Sequence, residues 1–268
     1  MAGVPLSVCI SGALGNVGRR LVEGVRDDPG FTLHSAVARR EVGRDVGEAL
    51  GGAPLGVVVT DDIEVALATR PDVLIDYTHP TLIRRHLDVA FARGVPVVIG
   101  TTGLSDADFE QIDEAARAAG LGAVTGNFAI TAALLQHLAK IAAVHVPNWE
   151  VVEYNKASKP DVPSGTAREL AELLGRVRQP HIELPDDELI GPLEARGAEF
   201  GGARVHSIRL PGYGSAVEVH FGLPGERLVM RHDSDIDGRI FVHGSLLAAQ
   251  RIQSITGLVR GLDSLLFS

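Results

Sequence analysis

The sequence is poor in cysteine, in aromatic residues and in long apolar stretches. Its one cysteine, Cys9, excludes an internal disulfide, and its place in the apolar run 4–10 predicts a buried thiol in a reducing compartment. Aromatic residues make up only 4% of the chain, which argues against a platform for stacking nucleic-acid bases. No segment approaches the ~18 consecutive apolar residues of a membrane span, and the first residues lack the pattern of a secretory leader. We therefore expect a cytoplasmic protein.

Positive charge is also scarce. The chain has 25 Lys and Arg against 34 Asp and Glu, a net charge of −9. Nucleic acids and anionic membranes bind surfaces with an excess of positive charge, so we expect neither as a partner. With 268 residues and 45% hydrophobic content, the chain has enough apolar surface for one large core or two smaller ones.

Residues 4 to about 127 alternate short β-rich runs with helical stretches, which indicates a parallel sheet with crossover helices. One helix is well marked over Ser105–Ala119, because Ser105 is a good N-cap, Asp108 follows three places on, and Gly120 suits a left-handed C-terminal residue. The predicted strands are Leu6–Ile10, Leu33–Val37, Val57–Val59, Val73–Asp76, Val95–Ile99 and Ala123–Thr125.

Beyond residue 128 the pattern changes. Three strands follow one another without helices between them, which predicts an antiparallel sheet in a second domain. The strands are Val205–Arg209, Val217–Phe221 and Leu228–His232, preceded by helix 129–145, strand 150–153, helix 165–176 and a long loop over 178–203. A final helix, Phe241–Ile255, is predicted to pack back on the first domain.

The first strand leads into a glycine-rich turn, Gly12-Ala-Leu-Gly15-Asn-Val-Gly18, followed by a helical pattern. Glycines at a strand-to-helix turn let the backbone approach a pyrophosphate, whose charge the N–H groups of the helix start then stabilise. Ala13 stands where the strict dinucleotide motif has its first glycine. A tight turn with close helix packing and no ligand is the alternative interpretation.

The end of the second strand reads Ala38-Arg39-Arg40, where dinucleotide-binding folds carry an acid for the ribose. Arginine pairs bidentately with phosphate, so we expect Arg39 and Arg40 to favour the 2′-phosphorylated cofactor NADPH, with NADH possible. Two solvated arginines at a strand end are the alternative.

Later strands of the same sheet end in further polar or small residues. Because ligands of open α/β folds bind at the carboxyl edge of the sheet, these ends are candidate contacts. The segments are Ile75–Pro80, Val97–Gly103 and Thr125–Phe128, and the candidates within them are Gly100, Thr101, Thr102, Thr125, Gly126, Asn127 and Phe128.

The densest group of reactive side chains lies in residues 153–166. Ser164 is a good N-cap, so Gly165 and Thr166 would present N–H groups at the positive end of a helix, with Lys156 and Lys159 just upstream. Together these groups predict a pocket for a small anionic substrate with a carboxylate. A capped helix after a solvated loop is the alternative.

In their order along nearly the whole chain, these motifs resemble the dihydrodipicolinate reductase family of lysine and diaminopimelate biosynthesis. The matching stretches are Gly12–Gly18, Ile75–Pro80, Gly100–Gly103, Asn127 with Phe128, Lys159 with Asp161, Pro163–Thr166, and Arg239 with Phe241 and Gly244. The resemblance implies an α/β fold with a Rossmann dinucleotide-binding domain, residues 1–127 completed by 239–268. It also implies a mixed α/β substrate and oligomerisation domain, 128–238, with an open, largely antiparallel sheet, in a homotetramer that reduces a cyclic imino dicarboxylate.

The resemblance also assigns site residues. The cofactor contacts it implies are Gly12, Ala13, Leu14, Gly15, Asn16, Val17, Arg39, Gly100, Thr101, Thr102, Thr125, Gly126, Asn127 and Phe128. The substrate contacts are Lys159, Gly165 and Thr166, to which we add Lys156, Ser164 and Thr102 as candidates.

The chain departs from the family at three histidine positions, now Asn155, Lys156 and Ser158. Asn155 occupies the position of the family acid/base but cannot titrate. Lys159 and Asn155 are therefore the catalytic candidates, with Lys159 or water as the proton source. Two further hypotheses stay open: a diverged imine or ene reductase for another small carboxylate, and a catalytically silent NADPH-binding homologue.

A metal site is not expected. Residues 233–238 begin like a calcium loop, but its twelfth position is Gly244, where a bidentate glutamate is required.

Overall fold

Seven parallel strands form one sheet in the computed structural model, which describes residues 4–235 and 237–267. Numbered along the chain, they are β1 Leu6–Ser11, β2 Phe31–Val37, β3 Val59–Thr60, β4 Val73–Asp76, β5 Val97–Ile99, β6 Gly122–Thr125 and β12 Gly257–Arg260. Across the sheet the order is β12-β6-β5-β4-β1-β2-β3. The strand order therefore reverses between β1 and β4, which makes this a doubly wound sheet. Ligands of such folds bind outside the carboxyl ends of the strands at this switch point.

The six strands predicted for this part of the chain are all present, β4 with the predicted bounds and the others with one or both ends moved by one or two residues. Val57–Val59 is the least accurate, since only Val59 belongs to β3. Strand β12 was not predicted from the sequence; it pairs with β6 from Gly257↔Gly122 onward. Its four residues are too few to show an alternating pattern, and the pairing joins positions more than 130 residues apart.

The helices associated with this sheet are α1 Asn16–Asp27, α2 Val46–Ala49, α3 Ile63–Ala66, α4 Pro80–Ala92, α5 Asp106–Ala119, α8 Val242–Arg251 and α9 Asp263–Leu266. The prediction for α5 is confirmed: Ser105 and Asp108 form a capping box, and Gly120 ends the helix at φ +67°. The predicted helix Phe241–Ile255 is shorter, because 3-10 turns flank α8 on both sides. It packs on α1, where a Cβ at Gly24 would lie 2.4 Å from Val242.

A second sheet has five strands, β7 Asn148–Asn155, β8 Ala198–Phe200, β9 Ala203–Arg209, β10 Ser215–Leu223 and β11 Glu226–Ser234, with α6 Ile130–His145 and α7 Gly165–Val177. Its order is β11-β10-β7-β9-β8. Three pairings are antiparallel as expected, but β7 and β9 are parallel. The chain passes through α7 between β7 and β9, and such a crossover returns the next strand in the same direction.

The segment expected to be a loop, 178–203, contains two short 3-10 turns, the whole of β8 and the first residue of β9. Strand β8 extends the second sheet by pairing with β9. Its three residues are exposed or half-buried, so no apolar pattern marks the strand in the sequence.

The chain divides into two units, Met1–Ile130 with Asp237–Ser268, and Thr131–Ile236. These will be called unit 1 and unit 2. Two sequence-based predictions fall partly outside the described residues. The absence of a leader concerns the first three residues, and the segment compared with a calcium loop includes Ile236. None of the helices in the described ranges could span a lipid bilayer.

Each unit has its own apolar core. In unit 1 the core includes Cys9, fully buried, and burial raises the pKa of its thiol to about 12, as suits an unreactive side chain. In unit 2 the residues of β7 alternate between half-buried and buried. Its buried face therefore starts with Trp149 and Val151 but ends with the polar residues Glu153 and Asn155, at the point where the chain enters the predicted anion-binding loop.

Candidate active site

The glycine-rich turn of unit 1 needs glycine at two positions for steric reasons. Gly12 has φ +84°, and a Cβ there would lie 2.3 Å from the carbonyl oxygen of Tyr77. A Cβ at Gly18 would lie 2.0 Å from the carbonyl oxygen of Gly12. The turn is thus held tightly between α1 and the end of β4, a geometry that both interpretations of the motif require.

The hydrogen bonds of the turn divide its backbone into a structural part and an open part. The N–H groups of Gly12 and Ala13 donate to the carbonyl of Val37 at 2.9 and 3.0 Å, and that of Gly15 donates to Gly12 at 2.8 Å. The first two N–H groups therefore hold the turn against β2, and the third closes the turn on itself. Gly15 is the N-cap of α1 and offers no side chain to the first turn of the helix. The positive end of α1 is left able to receive an anion.

A cleft of about 360 Å³ opens beside this turn, within unit 1. It runs along the ends of β1, β2 and β4, so it crosses the switch point of the sheet. Five of the predicted cofactor contacts line it, namely Gly12, Leu14, Gly15, Arg39 and Arg40. Because dinucleotides bind at this place in doubly wound folds, the position of the cleft fits the predicted cofactor.

Seven further residues with polar side-chain groups line the cleft and were not assigned from the sequence: Ser11, Asp61, Tyr77, Thr78, His79, Arg85 and His86. Thr78 and His79 lie in the segment Ile75–Pro80, which the sequence predicts to face the ligand. Their position after the strand could therefore have identified them as cleft residues. The side chains of Arg85 and His86 reach the cleft from α4, and nothing in their local sequence distinguishes them from ordinary helix residues.

The end of β2 presents only positive charge to the cleft. Ala38 takes the place of a ribose-binding acid, and Arg39 and Arg40 are exposed beside it. Arg85 approaches from α4, where its guanidinium lies 3.4 Å from the carboxylate of Asp62. Asp61 is the one acid among the residues that line the cleft.

The remaining predicted cofactor contacts lie outside the cleft lining, and several are buried. Thr125 is buried and donates its hydroxyl to the carbonyl of Ile99, and Phe128 is 1% exposed, so its ring belongs to the core. Asn127 accepts the N–H of Ala129 with its side-chain oxygen. Thr101 is also buried, and its hydroxyl donates to Asp76. The other members of this group are Ala13, which is buried, and Asn16, Val17, Gly100, Thr102 and Gly126.

In unit 2, the buried carboxylate of Glu153 organises the predicted substrate loop. Oε1 accepts from the N–H of Ser164 at 2.9 Å, the hydroxyl of Ser207 at 2.7 Å and Nη2 of Arg209 at 2.6 Å. Oε2 accepts from the amide of Asn155 at 2.8 Å. Burial opposes ionisation, but hydrogen bonds from Ser164, Ser207 and Arg209 outweigh it and hold the pKa of Glu153 below its usual range.

Arg209 was not assigned from the sequence, although it ends a strand that was. Its Nη2 also donates to the carbonyl of Asp161 at 2.7 Å, so one guanidinium ties β9 to both Glu153 and the substrate loop. The pairing of distant strands that brings Arg209 to Glu153 is a tertiary feature with no local signal.

The two catalytic candidates differ in their surroundings. Asn155 is 2% exposed, and its amide is held by Glu153 as described above. Lys159 is half-buried, and its Nζ lies 2.6 and 2.7 Å from the two carboxylate oxygens of Asp161. This hydrogen bond is the main reason why the pKa of Asp161 is lowered. Lys156 is exposed.

The start of α7 follows directly. Ser164 is the N-cap and accepts from the N–H of Ala167 at 3.4 Å, while Gly165 is exposed and Thr166 half-buried. The positive end of a 13-residue helix therefore lies in the same short segment as the ammonium groups of Lys156 and Lys159. Thr102, the remaining substrate candidate, belongs to unit 1.

Among the described residues, no three or more His, Cys, Asp or Glu side chains are placed to hold a metal ion together. Two of the three acids of the segment compared with a calcium loop are paired with guanidinium groups, Asp233 with Arg231 and Asp237 with Arg20.

Comparison with known proteins gives matches over nearly the whole chain. Residues 6–128 match the family model for the N-terminal part of dihydrodipicolinate reductase, and residues 129–266 match the model for its C-terminal part. A 4-hydroxy-tetrahydrodipicolinate reductase of Desulfitobacterium hafniense is 37% identical over 97% of this chain and 98% of its own length. One of Thermosynechococcus vestitus is 39% identical over 98% and 97%.

Solved structures give the same result. A dipicolinate-bound dihydrodipicolinate reductase from Paenisporosarcina sp. TG-14 has a TM-score of 0.86 and 31% identity, covering 97% of this chain and 99% of that one. An amine dehydrogenase of Mycobacterium smegmatis, at TM-score 0.67 and 16% identity, covers 96% and 95% and shares the fold. The chain is an NAD(P)H-dependent oxidoreductase, and by both sequence and structure it belongs to the dihydrodipicolinate reductase family.

Proposed function

We propose that this protein is an NADPH-preferring 4-hydroxy-tetrahydrodipicolinate reductase of lysine and diaminopimelate biosynthesis. The observation that carries the proposal is the cleft of unit 1, where the uncapped start of α1 and the pair Arg39 and Arg40 lie along the same groove. A pyrophosphate suits the first and a 2′-phosphate suits the second. When bound, the reduced nicotinamide supplies a hydride.

The preference for NADPH rests on the charge at the end of β2. A 2′-phosphate there would meet two guanidinium groups, whereas a free 2′-hydroxyl would find no carboxylate at Ala38 to accept its hydrogen bond. A charge-assisted hydrogen bond contributes roughly 1.5–3 kcal/mol, so we expect NADPH to bind about tenfold or more tightly than NADH.

Titration of the protein with each reduced nucleotide, followed by nicotinamide fluorescence, tests this preference. Replacing both Arg39 and Arg40 by Gln is expected to weaken NADPH binding and leave NADH binding nearly unchanged. Arg26→Gln is a matched control, because Arg26 is an exposed arginine of α1 that pairs with Asp27 and is not part of the cleft. Equal loss for both nucleotides in the double variant would contradict the assignment of these arginines.

The substrate is proposed to bind to unit 2. The Paenisporosarcina relative is named as a dipicolinate complex, and dipicolinate carries two carboxylates on a ring. In this chain the start of α7, with Gly165 and Thr166, and the ammonium groups of Lys156 and Lys159 can receive a carboxylate. Glu153 holds this segment through Ser164, so its role is to position the helix start and not to touch the ligand.

The proton that accompanies the hydride is assigned to Lys159 or to water. Asn155 cannot supply it, since an amide does not titrate and its amide group is already bonded to Glu153. Asp161 holds the ammonium of Lys159 beside the start of α7. A positioned ammonium can both pair with a carboxylate and deliver a proton to an adjacent carbon or nitrogen.

A second candidate function is the reduction of a different cyclic imine or enamine carboxylate. Its support is the loss of all three histidines, at Asn155, Lys156 and Ser158. The discriminating assay follows NADPH oxidation with dihydrodipicolinate generated in situ and, separately, with a panel of cyclic imines. Fast turnover on dihydrodipicolinate supports the first function, and turnover on a panel member alone supports the second. Tight NADPH binding without turnover on any compound would identify a catalytically silent homologue.

A homotetramer, which the family resemblance implies, stays a prediction, as does the cytoplasmic location. Light scattering should give a mass of about four times the chain mass of 28.3 kDa. A monomer at micromolar concentration would contradict the tetramer without bearing on the chemistry.

A further inference from the structure

Asp76 is a buried carboxylate for which the proposed chemistry has no use. It is the last residue of β4, it is 0% exposed, and it lies beneath the carboxyl edge of the sheet in unit 1. Burying a carboxylate is costly unless several donors stabilise its charge. The donors that surround Asp76 therefore show which parts of the chain its carboxylate holds in place.

Four donors converge on this carboxylate. Oδ1 accepts from the N–H of Thr78 at 3.1 Å, from the hydroxyl of Thr78 at 2.7 Å and from the hydroxyl of Thr101 at 2.7 Å. Oδ2 lies 2.6 Å from Nδ1 of His86. The ring of His86 donates to Oδ2 in the tautomer that carries its proton on Nδ1.

These donors come from three separate parts of the chain. Thr78 follows β4, Thr101 follows β5, and His86 lies in α4 and lines the cleft. The loops after β4 and β5 are also bonded to one another, because the hydroxyl of Thr101 accepts from the N–H of Thr78 at 2.9 Å. Asp76 thus fixes two strand ends and one helix relative to the cleft.

The sheet order decides which part of a dinucleotide would meet these strand ends. β1 has β2 on one side and β4, then β5, on the other. With the pyrophosphate at the turn after β1 and the adenosine half at Arg39 and Arg40 after β2, the nicotinamide half extends over the ends of β4 and β5. Thr78 and Thr101 are therefore on the nicotinamide side.

We infer that Asp76 is a positioning residue for the nicotinamide half of the cofactor, acting through Thr78, Thr101 and His86. The inference rests on the proposed function, because it presumes that the cleft binds a nicotinamide dinucleotide. The two halves of the cofactor are then held by different residues: Arg39 and Arg40 determine adenosine binding, and Asp76 determines how the nicotinamide half is held.

The test compares a whole cofactor with half of one. Asp76→Asn keeps the shape of the side chain, but its single acceptor oxygen cannot serve four donors. In this variant we expect the dissociation constant of NADPH to rise about tenfold or more, which corresponds to about 1.4 kcal/mol. The dissociation constant of adenosine 2′,5′-bisphosphate, which lacks the nicotinamide half, is expected to stay within about twofold of the wild-type value.

Asp72→Asn is the matched control. Asp72 lies just before β4, at the opposite edge of the sheet, and its carboxylate accepts from the N–H and hydroxyl of Ser7. Removing its charge should leave both dissociation constants within about twofold of the wild-type values.

If Asp76→Asn does not fold, Thr101→Val takes its place, since it removes one donor and keeps the size of the side chain. It should show the same selective loss to a smaller degree, and Thr101→Ser should recover part of it. Equal weakening of both ligands, or unchanged NADPH binding, would overturn the role of Asp76. If the wild-type protein binds no NADPH, the proposed function itself fails, so the two failures are distinguishable.

Discussion

Replacing Glu153 by Gln should destabilise unit 2 strongly, because the carboxylate is fully buried and accepts four hydrogen bonds. One of its donors, Arg209, has only 15% of its side chain exposed. Removing one partner of a buried ion pair typically costs about 3–5 kcal/mol. Since Gln keeps one acceptor oxygen and Arg209 keeps its bond to Asp161, we expect a loss of about 2–3 kcal/mol in the free energy of unfolding.

Trp149 provides a specific probe for this measurement. It is the only tryptophan of the chain and is buried on β7, in the same strand and on the same face as Glu153. Urea unfolding followed by its fluorescence therefore reports on unit 2. The difference in free energy comes from the shift of the midpoint at an unchanged slope.

Glu150→Gln is the control for this variant. Glu150 lies in the same strand but on the other face, has 35% of its side chain exposed and pairs with Arg196 and His206. A half-exposed pair of this kind contributes about 0–1 kcal/mol. If Glu153→Gln costs no more than Glu150→Gln, the buried carboxylate does not hold the substrate loop as we argue.

Three further predictions concern acid stability, catalysis and the glycine turn. Folding lowers the pKa of Glu153, so the stabilisation by its carboxylate is fully present above the unfolded pKa of about 4.3 and is lost as the pH falls through the folded value. In urea titrations between about pH 5 and 3, the wild-type protein should therefore lose more stability than the Glu153→Gln variant. Lys159→Ala should lower kcat by about tenfold to a hundredfold in a steady-state NADPH oxidation assay, and unchanged turnover would remove Lys159 from the mechanism. Gly18→Ala should abolish NADPH binding in a fluorescence titration or prevent folding, because its Cβ would lie 2.0 Å from the carbonyl oxygen of Gly12; normal binding would show that the turn can open.

The local pattern of the sequence was sufficient for most helices and strands. The capping residues of α5 and the apolar strands β1, β4 and β6 were predicted closely, because their signals lie within a few adjacent residues. The glycine spacing, read together with the strand before it and the helix after it, was enough to place the turn at which the cofactor is proposed to bind.

The sequence by itself determined the fold class and the family, and it located the two segments at which we propose that anions bind, since each motif consists of residues close together in the chain. Only the tertiary structure decided that β7 and β9 are parallel, that β12 completes the first sheet, and that Asp76 and Glu153 are buried hubs of hydrogen bonding. The physical reason is distance along the chain. Asp76 meets Thr101 across 25 residues and Glu153 meets Arg209 across 56, and no local propensity encodes which distant donor will satisfy a buried carboxylate.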